Sequence, residues 1–246
     1  MGLVTWLKEK NRKEQFKPGL FGIIFNPYYF NRRAIYQGIK KHSGKLKGQL
    51  LDFGCGTKPY EYLFNVDNYS GIDLEENKGH NIPKHKTDFF YKGDKLPFED
   101  NSFDSLYSSE VFEHVFNLDE ILKDINRVHR PGGFFLITMP FVWREHEMPN
   151  DFGRYTSAGI AAVLKRNNYK IIVHEKEPGF YLSVVQLFAV YVYHAVLPKS
   201  TSLKFLLSPF TIFPINLFAM FFNLFLPTSK ELYINHVIVA ENTKFR

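Results

Sequence analysis

Three groups of residues have the types and spacing that chemistry needs. The first is the run "LLDFGCGTKPY" (50–60), where Asp52 precedes Gly54 and Gly56, which flank Cys55. An apolar strand that ends in such a bend exposes backbone N–H groups at a helix start and suits a nucleotide-like ligand. The run lacks the Gly-Lys-Ser/Thr ending of a triphosphate loop, and Pro59 stands where a dinucleotide fingerprint needs a small residue, so both phosphate ligands are disfavoured. The second group is a pair of acids, Asp73 in "GIDLEE" and Asp88 in "TDFF", each expected at a strand end. They could also be simple turn formers. The third group carries acid–base candidates. "SSEVFEHV" (108–115) holds Ser109, Glu110, Glu113 and His114, and "WREHEMPNDFGRYT" (143–156) holds Trp143, Arg144, Glu145, His146, Asp151, Arg154 and Tyr155. His146 ranks first as a general base, with Asp151 as its orienter, and His114 is the other candidate. The alternative is structural: an Asp151–Arg154 pair and a capping Thr156 that fix the loop.

Positioning these residues takes an alternation of short apolar runs and helical stretches, the pattern of βα units on a mostly parallel sheet. Strands are expected at 49–53, 69–73, 85–88, 103–109, 134–140, 170–177 and 233–241. The last is antiparallel. Helices are expected at 118–128, where Ile121, Leu122, Ile125 and Val128 recur at helical spacing, and at about 157–166. "RPGG" after the first helix reads as a stop, and Glu110 and His114 are expected to share a face of a helix that starts after the fourth strand. This layout gives a basic helical region at 1–48, a core at 49–179, an apolar helical insert at 180–229 and a final core strand within 230–246.

With these motifs in order, residues 49–169 and the last strand resemble the class I methyltransferases that use S-adenosylmethionine, in particular the branch of quinone-biosynthesis and polysaccharide-cluster enzymes. "LDFGCG", "GIDLEE", "TDFF", "LPFEDNSFDSLYSSEVFEHV" and "INRVHRPGGFFLITMP" carry the resemblance. It implies a Rossmann-like sheet and S-adenosylmethionine as cofactor, held by Asp52, Gly54, Cys55, Gly56, Asp73, Leu74, Asp88, Phe89 and Ser109. Asp73 would accept from both ribose hydroxyls, Leu74 and Phe89 would wall the adenine, and Asp88 would accept its amino group. Cys55 itself reads as a small packing residue. Lys58 departs from the pattern, which often has a third glycine there. The segment 145–156 is similar to "EHxxPxDFxRYT" of methyltransferases from cell-surface glycan clusters, which implies a glycan acceptor met by Trp143, Glu145, Arg154 and Tyr155.

The chain has 246 residues, 45% hydrophobic and 17% aromatic, with a formal net charge of +6. Residues 1–48 hold eleven Lys and Arg against two Glu, so the basic excess is concentrated in the leader. One cysteine permits neither an intrachain disulfide nor a Cys-based metal site, and no metal is expected. No export signal is read at the start. Between Phe180 and Ser229 only Lys199 and Lys204 are charged. Because its two flanking strands share one sheet, the insert reads as a helical hairpin against the cytosolic face of a membrane, with the basic leader on the same surface. A cap over the pocket or a homodimer interface is the alternative. The expected function is O-methylation of a glycan or lipid-linked, polyprenyl-type intermediate. The rivals are methylation of a prenylated quinone-like ring and a silent interaction module. Nucleic acid is not an expected partner.

Overall fold

The computed structural model describes residues 14–75 and 87–245. Strands that are apolar along their whole length have no polar face for water and must lie inside a covered sheet. Apolar runs of this kind fill the buried middle of a sheet made of β1 (Gln49–Phe53), β2 (Asn68–Leu74), β3 (Phe89–Tyr91), β4 (Phe103–Ser109), β5 (His129–Pro140), β6 (Tyr169–Glu177) and β7 (Asn235–Asn242), in the order β3-β2-β1-β4-β5-β7-β6, with the more polar β6 at one edge. β1 runs parallel to β2 and β4, β2 to β3, and β4 to β5. The fold is the expected Rossmann-like one: seven strands, mostly parallel, one antiparallel. The strand order reverses between β1 and β4, and in such sheets ligands bind beyond the carboxyl ends of the strands at that reversal.

Six α-helices of the described residues accompany the sheet: α1 (Leu20–Phe25), α2 (Tyr29–His42), α3 (Leu118–Val128), α4 (Ser157–Arg166), α5 (Phe180–Tyr191) and α6 (Thr201–Phe222). The chain divides into two compact units, one from the described residues of 38–175 and 236–245, the other from those of 1–37 and 176–235. In the first unit, α3 buries Ile121, Leu122, Ile125 and Val128 in one cluster with Leu51, Phe53, Ile72, Leu106 and Phe135. Asp119 and Glu120 in its first turn and Arg127 in its last complement the helix dipole. In the second unit, Tyr29, Phe30 and Ala219 form a small core with Ile23, Leu182 and Val185. There α6 continues through Pro209 and Pro214, while Ser208 and Thr211 donate to the carbonyls of Lys204 and Leu207 one turn earlier, at 2.7 and 3.0 Å.

The structure moves several expected boundaries. The third strand is Phe89–Tyr91 rather than 85–88. Residues 85 and 86 lie outside the described residues, and Asp88 stands just before the strand, donating its N–H to Gly71 O at 3.1 Å and accepting the Gly71 N–H with its side chain. β5 begins at His129, because the "RPGG" run forms a bulge between the pairs Phe103/His129 and Ser105/Phe134. Gly132 there has φ of 79°. The segment directly after β4 is not an α-helix: Glu110 sits in the left-handed region at φ 56°, and Phe112–His114 is a single 3₁₀ turn. Glu110 and His114 therefore do not share a helical face. β7 starts at Asn235 and ends at Asn242.

Candidate active site

The bend after β1 is built by close approach. At Gly54, with φ of 73°, a Cβ would lie 2.4 Å from a Val111 methyl, so only glycine lets the bend touch the segment after β4. Gly56, at φ 49°, is different, since nothing lies within 4 Å of the place its Cβ would take. Its N–H donates to Asp73 Oδ2 at 2.9 Å and the Leu74 N–H to Oδ1 at 2.8 Å, so two backbone donors fix the plane of this buried carboxylate beside an open space.

Lys58 resolves its own departure from the pattern. It takes φ of 51°, the conformation a glycine would supply, and its buried ammonium reaches Asp88 Oδ2, which also accepts the Gly71 N–H at 2.7 Å. Asp52 is buried on β1 and accepts from Tyr69 Oη at 2.6 Å. Burial pushes its carboxyl up to about 7, against the opposing pull of Tyr69 and Lys58. Cys55 is buried, and burial with the nearby Asp52 raises its thiol beyond the range in which it ionises, which fits a packing residue. Ser109 bonds Thr138 across β4 and β5 at 2.7 Å, Leu74 packs on the core, and Phe89 is 41% exposed.

The loop after β5 closes on the turn after β4. The N–H groups of Phe152 and Gly153 donate to Glu113 O at 2.8 and 3.1 Å, and His114 Nδ1 meets Asn150 O at 2.7 Å. Arg154 forms a bidentate pair with Asp151 at 2.6 and 2.7 Å, which holds the Asp151 carboxyl well below the usual range. Asp151 also accepts the His146 N–H at 3.0 Å and lies 3.3 Å from His146 Nδ1. Burial and then His114, whose ring is 4.8 Å away, push His146 below its ordinary value. Thr156 caps α4 through the Gly159 N–H at 3.1 Å. Both expectations for this loop thus have their geometry: the fixing pair with its cap, and an imidazole beside a carboxylate.

His114, His146, Asp151 and Arg154 come together, while Asp52, Gly54, Gly56, Asp73 and Asp88 gather at the bend. Glu145 is exposed and Trp143 half-buried. Tyr155 packs against the core and its carbonyl accepts from His236 Nε2 at 2.8 Å. Sequence reasoning passed over Tyr69, and it named Glu113 without giving it a role. Tyr69 carries no local signal for its bond to Asp52, because the partners meet only across adjacent strands. Glu113 is fully buried with neither carboxylate oxygen hydrogen-bonded, and its place beside His114 in "FEH" was the available hint.

Residues 51–137 match the protein family described as "Methyltransferase domain". This stretch carries the pattern of a methyltransferase domain. A sterol 24-C-methyltransferase of Aspergillus fumigatus is 32% identical over 122 residues, 41% of this chain and 32% of that protein. A fatty-acid O-methyltransferase of Mycolicibacterium smegmatis is 34% identical over 102 residues, 37% of this chain and 36% of that one. The chain thus matches about a third of the length of these curated relatives. Among solved structures, phosphoethanolamine N-methyltransferase 2 of Haemonchus contortus, in complex with S-adenosyl-L-methionine, has a TM-score of 0.53 at 16% identity. That likeness covers 95% of this chain and 60% of that one. At this identity it shows the shared class I methyltransferase fold.

Proposed function

We propose that this chain is an S-adenosylmethionine-dependent methyltransferase that O-methylates a glycan or lipid-linked intermediate at the cytosolic surface of a membrane. The observation that carries the cofactor reading is the Asp73 carboxylate, fixed by two backbone N–H groups beside the open space over Gly56. A carboxylate so placed accepts from two vicinal ribose hydroxyls. Asp88 takes the adenine amino group through Oδ1, since Oδ2 is held by Lys58 and Gly71. Leu74 and Phe89 wall the base, Ser109 lines the β4 side, and Asp52 orients the bend. When bound, the cofactor supplies an electrophilic methyl on a sulfonium sulfur.

The chain's residues have two tasks in such a displacement, aligning the acceptor and receiving its proton. With Nδ1–H turned to Asp151, His146 presents the Nε2 lone pair to the acceptor hydroxyl. As the acceptor oxygen takes the methyl that a bound cofactor would supply, His146 Nε2 would receive its proton. Trp143, Glu145, Arg154 and Tyr155 offer the stacking face, acceptor and donors that a sugar-like or phosphorylated acceptor needs, with His114 alongside. An apolar acceptor such as a prenylated ring is the second reading, favoured by the sterol and fatty-acid methyltransferases among the relatives.

Isothermal titration of the full chain with S-adenosylmethionine tests the reading. Saturable heat is expected, weakened about tenfold or more by Asp73→Ala, which removes a charge-assisted acceptor. Absence of heat, or an unchanged isotherm in Asp73→Ala, rejects it. Incubating labelled cofactor with polyprenyl-linked glycans and with prenylated phenols separates the two acceptor readings.

A further inference from the structure

We propose that Glu113, His114 and His146 form a binding site for a divalent transition-metal cation of the zinc type. The sequence reading expected no metal, because it considered cysteine ligands. The structure brings three other donor atoms together: one ligand atom each from Glu113, His114 and His146, all within 4.8 Å of one another. His114 Nε2 lies 3.7 Å and His146 Nε2 4.0 Å from Glu113 Oε1.

Hydrogen bonding on the far side of each ring decides what those atoms are. Asn150 O can only accept, so His114 Nδ1, 2.7 Å away, carries the ring proton. The Asp151 carboxylate likewise only accepts. Its Oδ2 lies 3.3 Å from His146 Nδ1, which also accepts from the Arg154 guanidinium at 3.4 Å; a cation at Nε2 selects the tautomer with the proton on Nδ1, facing Asp151. With the proton on each Nδ1, the two Nε2 atoms offer lone pairs on the side of Glu113.

Glu113 is fully buried, and neither of its oxygens has a hydrogen-bond partner. Burial, and then the nearby Glu110, push the Glu113 carboxyl well above its ordinary value, so its ionised form needs a positive partner. Arg154 is the nearest fixed cation, but it is engaged with Asp151 and the Gly153 carbonyl. A cation bound between the two rings and Glu113 supplies that partner. Two imidazoles and one carboxylate, at metal distances of about 2.0–2.2 Å, form a three-ligand zinc site with an open position. Closing to those distances takes small movements of the side chains on the 3₁₀ turn and the loop.

The outer contacts also match a metal site. Ligand histidines donate their other N–H to a carboxylate or a backbone carbonyl, which fixes the tautomer. Asn150 O does this for His114, and for His146 the Asp151 carboxylate stands 3.3 Å from Nδ1, beside the Arg154 donor. Glu147 Oε2, 3.9 Å from His114 Nε2 and largely exposed, stands at the rim rather than among the ligands.

The cation's use rests on the methyltransferase reading; its binding does not. In the loaded site the open position takes the acceptor hydroxyl, and the cation lowers its pKa, so the proton leaves to solvent and His146 serves as ligand rather than base.

The test uses the full chain stripped with a chelator and titrated calorimetrically with Zn²⁺, and with Co²⁺ for its visible absorption. One equivalent is expected to bind, with Co²⁺ bands of nitrogen ligation. Glu113→Gln and His146→Gln should each lower affinity by about 100-fold, Asp151→Asn by about 10–100-fold as an outer partner, and Glu147→Gln not at all. His146 lies on the loop, so its variant stands if the buried Glu113→Gln change disturbs folding, and circular dichroism reports which variants fold. No heat with Zn²⁺ in excess, or equal affinity in folded Glu113→Gln and His146→Gln, overturns the site. Titration of S-adenosylmethionine into the same protein keeps the two claims apart. Cation binding without cofactor binding supports the site and rejects methyl transfer, and cofactor binding without cation binding does the reverse.

Discussion

Asp52, Tyr69 and Lys58 show how single residues tune the bend. Burial raises the Asp52 carboxyl to about 7, Asp73 adds to the rise, and Tyr69 and Lys58 oppose it. A carboxyl whose folded value is raised contributes its stability at low pH. That contribution is lost as pH climbs from about 4 through about 7, because above this range the folded state carries a buried charge. Asp52→Asn keeps an acceptor for Tyr69 and removes the charge. Urea unfolding at pH 5 and pH 8 should show the variant gaining on the order of 1–3 kcal/mol over the wild type at the higher pH. Parallel wild-type and variant curves would contradict it. At this scale the acids of the bend were legible because the motifs "LDFGCG", "GIDLEE" and "TDFF" each set one at a strand or its end. The Asp52–Tyr69 bond and the Lys58–Asp88 pair were not, because sequence separation hides which residues of adjacent strands face each other.

Elements were legible wherever local chemistry decides them. α3 declares itself by four apolar residues at helical spacing, and α4 by Thr156, whose hydroxyl accepts the Gly159 N–H. Thr156→Ala should cost about 1 kcal/mol in urea unfolding, with the fold intact by circular dichroism, since the cap is exposed and replaceable by water. A loss below a few tenths would show that the cap adds nothing. Elements shaped by their neighbours were misread. "RPGG" has the chemistry of a stop, yet β4 holds that stretch in a bulge. Here Gly133 is required, because a Cβ would lie 2.5 Å from Asp104 O. The segment after β4 had the composition of a helix start, but the backbone bonds from Phe152 and Gly153 to Glu113 O belong to a compact turn. The same turn buries Glu113 beside two imidazoles, an outcome that spacing within "EVFEHV" could not disclose.

At the scale of the molecule, the unit built from the described residues of 1–37 and 176–235 poses a question of solvent. Its helix α6 has 22 residues and a mean hydropathy of 1.8, enough by length and composition to cross a membrane, and α5 is a shorter apolar helix. Phe210, Leu206 and Phe218 on α6, with Leu224 and Phe225 just beyond, are 60–80% exposed, a larger apolar display than isolated surface residues would give. A lipid surface covers such a face without a matching partner shape, and the scarcity of charge between 180 and 229 suits insertion into the interface. The full chain should therefore float with vesicles of phosphatidylcholine and phosphatidylglycerol. Burying one such side chain contributes about 1.5–3 kcal/mol, so each of Leu206→Glu, Phe210→Glu and Phe218→Glu should lower partitioning about tenfold or more. The triple variant should remain in the aqueous fraction. Size-exclusion chromatography without vesicles supplies the opposing outcome: a wild-type dimer that the triple variant turns into a monomer, with no flotation of either, would assign the face to a second copy of the chain and reject the membrane.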